Sequence, residues 1–260
     1  MIKTVHISNI GRVRSVNEDS VWVNHLPQGY TVGIVADGMG GHQAGDTASR
    51  LAVETMARDL TALEADMSTE GLRAALSDAI IHANDVIYKE ASKNEKFHNM
   101  GTTIVAILLA GASGFIGHIG DSRAYKITND EVIQLTEDHT LVNELYKSGQ
   151  ITLEELKTHP RRNVLTRALG TDAEVSPVLD PVTLLAGEVL LLCSDGLSNL
   201  VSGQHMSQVT GKLDVPLDER AERLLQLALL AGGDDNITVA LFELQDLEEV
   251  AGASIKEWDS

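Results

Sequence analysis

The chain has 260 residues and a formal net charge of −18; 43% of it is hydrophobic but only 3% aromatic. The charge repels nucleic acid and anionic membrane surfaces, no run of eighteen apolar residues offers a membrane span, and a single cysteine, Cys193, excludes an intramolecular disulfide. Met1 to His6 lacks the basic stretch, apolar stretch and small-residue cleavage site of a secretory signal, so a cytoplasmic protein is expected. The same residues read as the edge of a first strand. Strand-like runs at Val13 to Val16 and Val21 to Leu26 flank the polar Asn17-Glu18-Asp19. Tyr30 to Ala36 reads as a buried strand, broken by Asp37-Gly38-Met39-Gly40-Gly41. Ala44 to Leu63 and Thr69 to Lys93 predict helices. In the second, Leu72, Leu76, Ala79, Ala83 and Ile87 recur at three- and four-residue steps, the spacing of an apolar stripe.

The middle of the chain predicts an antiparallel meander. Thr102 to Ala110, Phe115 to Ile119, Ala124 to Ile127 and Val132 to Leu135 are apolar runs separated by Gly111 to Gly114, Gly120-Asp121-Ser122 and Asn129-Asp130. Connections this short ordinarily join antiparallel neighbours, because a parallel return needs a long crossover. Asp138 to Ser148 predicts a helix. Thr152 with Glu155 forms a capping-box pattern for a short helix that ends before Pro160. A basic patch follows: Arg161, Arg162 and Arg167. Then come a strand over Glu188 to Cys193, a helix over Glu219 to Leu230 and a strand over Ile237 to Leu244. No composition break divides the chain, so residues 1–248 are expected to form one domain and 249–260 a polar tail. Meandering strands with a few long helices imply an α+β fold, with sheets packed on each other and helices outside.

A local grammar recurs at strand ends. Ile34-Val35-Ala36 stops at Asp37-Gly38, Ile116 to Ile119 at Gly120-Asp121, and Leu190 to Ser194 at Asp195-Gly196. Gly233-Asp234-Asp235-Asn236 opens the last strand. Any one Asp-Gly is an ordinary turn. Several beside strongly apolar runs, together with Glu18-Asp19, crowd carboxylates that bound hard cations would neutralise, and all-oxygen ligands favour Mg²⁺ or Mn²⁺ over Zn²⁺. Cations held by carboxylates suit chemistry on a phosphoryl group, with an arginine to grip its oxygens, and Arg14, just upstream of Glu18, is best placed for that. Cys193, after Val189 to Leu192, reads as a buried thiol rather than a nucleophile. Composition and spacing leave open what carries the phosphate.

The motifs Gly11-Arg12-Val13-Arg14-Ser15-Val16-Asn17-Glu18-Asp19, Val35-Ala36-Asp37-Gly38-Met39-Gly40-Gly41-His42, Gly101-Thr102-Thr103 and Gly120-Asp121-Ser122-Arg123 occur in this order. They continue with Leu135-Thr136-Glu137-Asp138-His139-Thr140, His159 to Gly170, Leu192-Cys193-Ser194-Asp195-Gly196 and Gly233-Asp234-Asp235-Asn236-Ile237-Thr238. In these the chain closely resembles the metal-dependent protein phosphatases of the PPM class, the PP2C family, and particularly its compact bacterial members, over about residues 5 to 245. The resemblance implies a β-sandwich of two largely antiparallel sheets flanked by helices on both outer faces, with the metal centre at one end. It implies hydrolysis of phosphoserine and phosphothreonine in proteins by a metal-activated water, opposing a bacterial Ser/Thr kinase.

Carried over by motif, Asp37 and the Gly38 carbonyl resemble ligands of two core Mn²⁺ or Mg²⁺ ions, with Asp37 bridging. Asp195 and Asp235 resemble ligands of the first, and Glu18 a group acting on the second. Asp121, sharing Asp195, resembles the ligand of a third, weaker ion. Asp19 resembles the residue that orients metal-bound water, and Arg14 the phosphate clamp; Arg14, Asp19 and Asp37 form the implied catalytic set. Leu141 to Leu169 resembles a flap beside the site, and Asn236 a support for Asp235. The general-acid histidine of animal relatives follows Asp-Gly directly, where this chain has Met39, so that role is not assigned to His42. Implied partners are phosphorylated proteins that are substrates of a Ser/Thr kinase, with no nucleic acid and no membrane span, the chain acting as a monomer. Two rival readings are a phosphatase dedicated to one small phosphoserine regulatory protein and a non-catalytic phosphoprotein-binding module. A calcium-stabilised structural domain is disfavoured, since no EF-hand loop pattern is present.

Overall fold

The computed structural model describes residues 1–40, 44–93, 97, 100–128 and 131–244. Its first strand, β1 (Ile2–Asn9), starts within the predicted Met1 to His6 and lies at the edge of its sheet. The chain then runs through an exposed turn to β2 (Asp19–His25). The strand-like reading of Val13 to Val16 is corrected here: Val13 and Val16 are 67% and 42% exposed, and the segment is held by the Arg12 N–H on the Gly233 carbonyl and by the Asn236 side chain on the Val16 carbonyl, not by a ladder. Next comes β3 (Tyr30–Met39), which does not break at Asp37. It continues to Met39 because Gly38 and Met39 pair with a short strand introduced below.

Helices α1 (Ala44–Thr61) and α2 (Thr69–Lys93) follow the apolar stripes of the sequence. The run from Thr102 is divided into β4 (Gly101–Thr102), which pairs with β3, and β5 (Ile104–Ala110). β6 (Ser113–Ile119) returns beside β5, as the meander requires. The meander ends there. β7 (Arg123–Ile127) and β8 (Val132–Gln134) belong to the other sheet, so Gly120-Asp121-Ser122 carries the chain from one sheet to the other. A short connection does not enforce pairing where Gly120 turns with φ +105°.

α3 (Leu141–Lys147) starts three residues after the predicted Asp138 because Thr140 caps it, its side chain accepting from the Asn143 N–H. α4 (Leu153–Thr158) carries the predicted capping box. β9 (Val178–Thr183), unmarked by the sequence reading because Asp180 and Pro181 interrupt its apolar pattern, pairs with β6. β10 (Val189–Cys193) leads into two further unforeseen helices, α5 (Asp195–Ser198) and α6 (Gly203–Thr210). α7 (Leu217–Leu230) and β11 (Ile237–Leu244) complete the described chain. Asn129-Asp130, His42 and the polar tail lie outside the described residues.

One sheet has the order β1-β11-β10-β7-β8; the other runs β2-β3-β5-β6-β9 with β4 on β3. Among the described residues every strand pair is antiparallel. Three apolar layers follow from this order. α1 and α2 cover the second sheet through Met56, Leu76 and Ile80, while α5 to α7 cover the first through Leu197, Leu217 and Leu224. Between the sheets lie Val35, Val105, Ile107, Leu190, Leu192 and Phe242. The Phe242 ring occupies the space over Gly33, where a Cβ would fall 2.2 Å from its Cζ. Among the described residues no helix is long and apolar enough to cross a membrane.

Candidate metal centre

The predicted site residues come from strand ends at one end of both sheets. Asp19 opens β2 and faces Asp37 of β3 across the ladder. Asp195 follows β10, Asp235 precedes β11 and Asp121 sits in the crossing between sheets. Loops alone would place such groups loosely; rigid strand ends hold them against a packed core.

Asp19 is buried, and its Oδ2 accepts from Ser194 and Thr238 hydroxyls, each at 2.7 Å. Its Oδ1 is buried with no hydrogen-bond partner, and so is Asp195 Oδ1. Burial pushes the Asp19 carboxyl up to about 7 although both hydroxyls oppose the shift. Burial also lifts Asp37 well above the usual carboxylate range, reinforced by the charges of Asp19, Asp195, Asp121 and Asp235. Asp121 is raised to about 7, by burial and then by Asp195 and Asp138, against the pull of Arg123. Asp195 rises by burial and by Asp235, while Asp37 and the charges of Arg123 and Arg14 oppose the shift. Carboxylates crowded in this way are eased by a proton or a cation.

Among the described residues, no group of three or more His, Cys, Asp or Glu side chains is already gathered around one ion position. The donor set nevertheless fits hard divalent ions. Mg²⁺-like ions keep several waters and take one or two carboxylates each, with backbone carbonyls as further ligands. Two buried carboxylate oxygens here, Asp19 Oδ1 and Asp195 Oδ1, have no protein donor, and such oxygens are what hard ions need.

The Arg14 loop is held from β11. Asn236, which is buried, accepts the Glu18 N–H on Oδ1 at 2.7 Å and donates through Nδ2 to the carbonyls of Ile10 and Val16 at 2.9 and 3.0 Å. Its own N–H reaches Asp235 Oδ1 at 2.9 Å. The bond to Asp235 is thus made by the main chain, while the Asn236 side chain anchors the loop that presents Arg14. That role was invisible in sequence, because its partners are main-chain groups more than two hundred positions away. Arg14 donates to Asp235 Oδ2 at 2.7 Å with about half of its side chain exposed. Glu18 accepts from the Gly45 N–H at the start of α1; burial raises its carboxyl while Arg14 draws it down. This approach requires glycines: a Cβ on Gly38 would fall 2.1 Å from the Gly45 carbonyl, and one on Gly45 2.6 Å from Glu18 Oε1.

Further groups escaped the sequence reading. Thr103 accepts the Asp37 N–H at 3.0 Å and its hydroxyl bonds Ser122 at 2.7 Å, joining the Asp37 strand to the Asp121 loop. Arg123 forks onto both oxygens of Asp138. Residues 141–169 carry α3 and α4, and a cleft of about 740 Å³ opens beside them. Asp121, Asp195 and Asp235 line it together with Tyr146, Leu156, Lys157, Arg162 and Val201. Cys193 is buried away from this chemistry; burial pushes its thiol up to about 12.

Two sheets with helices outside and an acidic strand-end centre define a phosphate-ester hydrolase of the metal-dependent kind. The family described as Protein phosphatase 2C matches residues 11–229, and the chain belongs to it. Membership carries the class of activity, metal-dependent hydrolysis of phosphoserine and phosphothreonine in proteins. Among curated relatives, the serine/threonine phosphatase stp of Listeria innocua is 39% identical over 244 residues, 94% of this chain and 96% of that protein. The Streptococcus agalactiae serine/threonine phosphatase structure is 36% identical with a TM-score of 0.89, covering 94% of this chain and all of that one. A structure of the PstP catalytic domain in complex with two manganese ions is 38% identical with a TM-score of 0.81, covering 94% and 99%.

Proposed function

We propose that this chain dephosphorylates proteins phosphorylated on serine or threonine by a bacterial kinase, as a cytoplasmic monomer whose residues 1–248 form one catalytic domain with a flap at about 141–169. Asp37, Asp195 and Asp235, with the Gly38 carbonyl, would hold two Mn²⁺ or Mg²⁺ ions; Glu18 acts on the second, and Asp121 with Asp195 takes a weaker third. The observation that carries this reading is the pair of buried carboxylate oxygens, on Asp19 and Asp195, that no protein donor satisfies. Bound there, such ions supply positive charge for the phosphoryl oxygens and acidify water at neutral pH.

The chain's own groups do the rest. Arg14 spends one nitrogen on Asp235 and keeps the rest of its fork for phosphate oxygens, a planar two-point grip. Asp19, its Oδ2 fixed by two hydroxyls, offers Oδ1 as an acceptor that orients the attacking water. Water attacks phosphorus in line with the departing seryl or threonyl oxygen, and no phosphoenzyme forms. The test is release of phosphate from a phosphothreonine peptide. Turnover should vanish in EDTA, return with Mn²⁺ or Mg²⁺ but not Ca²⁺, and be far slower on a phosphotyrosine peptide. Robust turnover by metal-stripped protein would overturn it.

A further inference from the structure

His139 lies between the end of β6 and the segment that carries α3 and α4. Its main-chain N–H donates to the Gly120 carbonyl at 3.0 Å, and its ring Nδ1 accepts from the Gly120 N–H at 3.1 Å. One residue thus holds both polar backbone groups of Gly120, the immediate neighbour of Asp121. Gly120 has no side chain with which to brace this loop, and a Cβ there would fall 2.6 Å from Thr103 Cγ2. On its other side, the His139 carbonyl accepts from the Thr166 N–H at 2.9 Å, and Thr140 bridges Leu165. His139 therefore bonds the Thr166 limb of the 141–169 segment and the Asp121 loop, and runs through Thr140 into the other limb.

The ring is fixed in place as well. It stacks on His118 of β6, with centroids 4.9 Å apart and planes 10° from parallel, and His118 Nε2 bonds the Glu137 carbonyl at 3.0 Å. A ring that accepts on Nδ1 is neutral and carries its proton on Nε2. Burial and the stacked neighbour favour that neutral form.

We infer that His139 is a positioning residue for Asp121: by clasping Gly120 it fixes the loop from which Asp121 projects and couples that loop to both limbs of the flap. A divalent cation at Asp121 is then bound as tightly as the clasp keeps the carboxylate aimed. The inference rests on Asp121 being a cation ligand, as proposed above.

The test is calorimetric titration of the full chain with Mn²⁺. His139→Asn keeps an acceptor near the position of Nδ1, His139→Gln moves it to where Nε2 lay, and His139→Leu removes it. The Asn variant should bind as the parent does, to within about threefold, whereas Gln and Leu should weaken the weakest Mn²⁺ step by about tenfold and leave the tighter steps alone, the expected effect of one lost hydrogen bond to a backbone N–H. Asp121→Ala should remove that step, and adding His139→Leu to it should change nothing further. If Asp121→Ala leaves the weakest step intact, the ligand assignment itself fails. If it removes the step while Gln and Leu leave it unchanged, or if Asn weakens it as much as Leu, the clasp is overturned. Should the variants unfold, nitrogen NMR of the parent decides: a proton on His139 Nδ1 refutes the inference.

Discussion

Asp19 stands directly opposite Asp37 across the β2–β3 ladder, and Asp19 leaves one carboxylate oxygen buried without a donor. Like charges so opposed destabilise a sheet, and burial raises both groups. An acid raised in the folded state contributes stability that is fully present below its unfolded value, about 4, and lost as pH climbs through the folded value. For Asp19 and Asp121 that folded value is about 7. The cation-free protein should therefore lose melting temperature between about pH 4 and pH 7, Asp121 alone accounting for up to about 4 kcal/mol. Saturating Mn²⁺ should flatten the profile at the alkaline end by binding only the folded chain. Calorimetric melting in EDTA and in Mn²⁺ across this range checks it; a profile in EDTA that is flat or rises with pH contradicts it.

Arg14 is expected to matter for catalysis and little for folding. Its ion pair with Asp235 is half exposed, so Arg14→Ala should cost about 1 kcal/mol of stability or less. Loss of the phosphate grip should remove about 2–4 kcal/mol of transition-state binding, read as kcat/KM. Arg14→Lys should recover little of it, because an ammonium lacks the planar fork. Inhibition by inorganic phosphate should weaken in both variants. Unchanged kcat/KM and phosphate inhibition in both would remove Arg14 from the site.

Asn236 should behave differently, because its side chain is buried and bonded on both sides. Asn236→Ala leaves the Glu18 N–H and two carbonyls unpaired, an expected loss of about 2–4 kcal/mol in stability. It also frees the Arg14 loop, so kcat/KM should fall even at temperatures where the variant is fully folded. Asn236→Asp keeps an acceptor for the Glu18 N–H but has no donors for the carbonyls, and should resemble the Ala variant. Normal kinetics from a destabilised Asn236→Ala protein would show that the loop holds its shape unaided.

Cys193→Ser tests the absence of a thiol step. The residue is fully buried on β10 and its thiol is pushed up to about 12, so phosphatase activity should stay within a few-fold of the parent. Placing a hydroxyl in that apolar layer should cost about 1–3 kcal/mol. A well-folded variant with normal cation binding and no turnover would return the thiol to the mechanism.

The strands and helices read most faithfully were those with an uninterrupted apolar pattern. α2 and β11 have the bounds that the sequence predicts for them. What escaped depended on partners far along the chain. Nothing local in Asp180-Pro181 announces that β9 will find β6, and nothing in a three-residue connection reveals that β6 and β7 part into different sheets. The site shows the same division. Its carboxylates are legible because Asp-Gly after an apolar run is a local signature. Ser194, Thr238 and Asn236 act by reaching across the fold, so only the folded register exposes them.

The placement of Phe242 over Gly33 has a mechanical consequence. Asp37 belongs to one sheet, whereas Asp195 and Asp235 are borne on strand ends of the other. Their separation is therefore a reading of the gap between the sheets, as with the two jaws of a caliper, and the apolar layer inside sets that gap. A methyl group at Gly33 would press on the Phe242 ring and spread the jaws from well behind their tips. The seam between the sheets in this sense sets the spacing of the three carboxylates at its end.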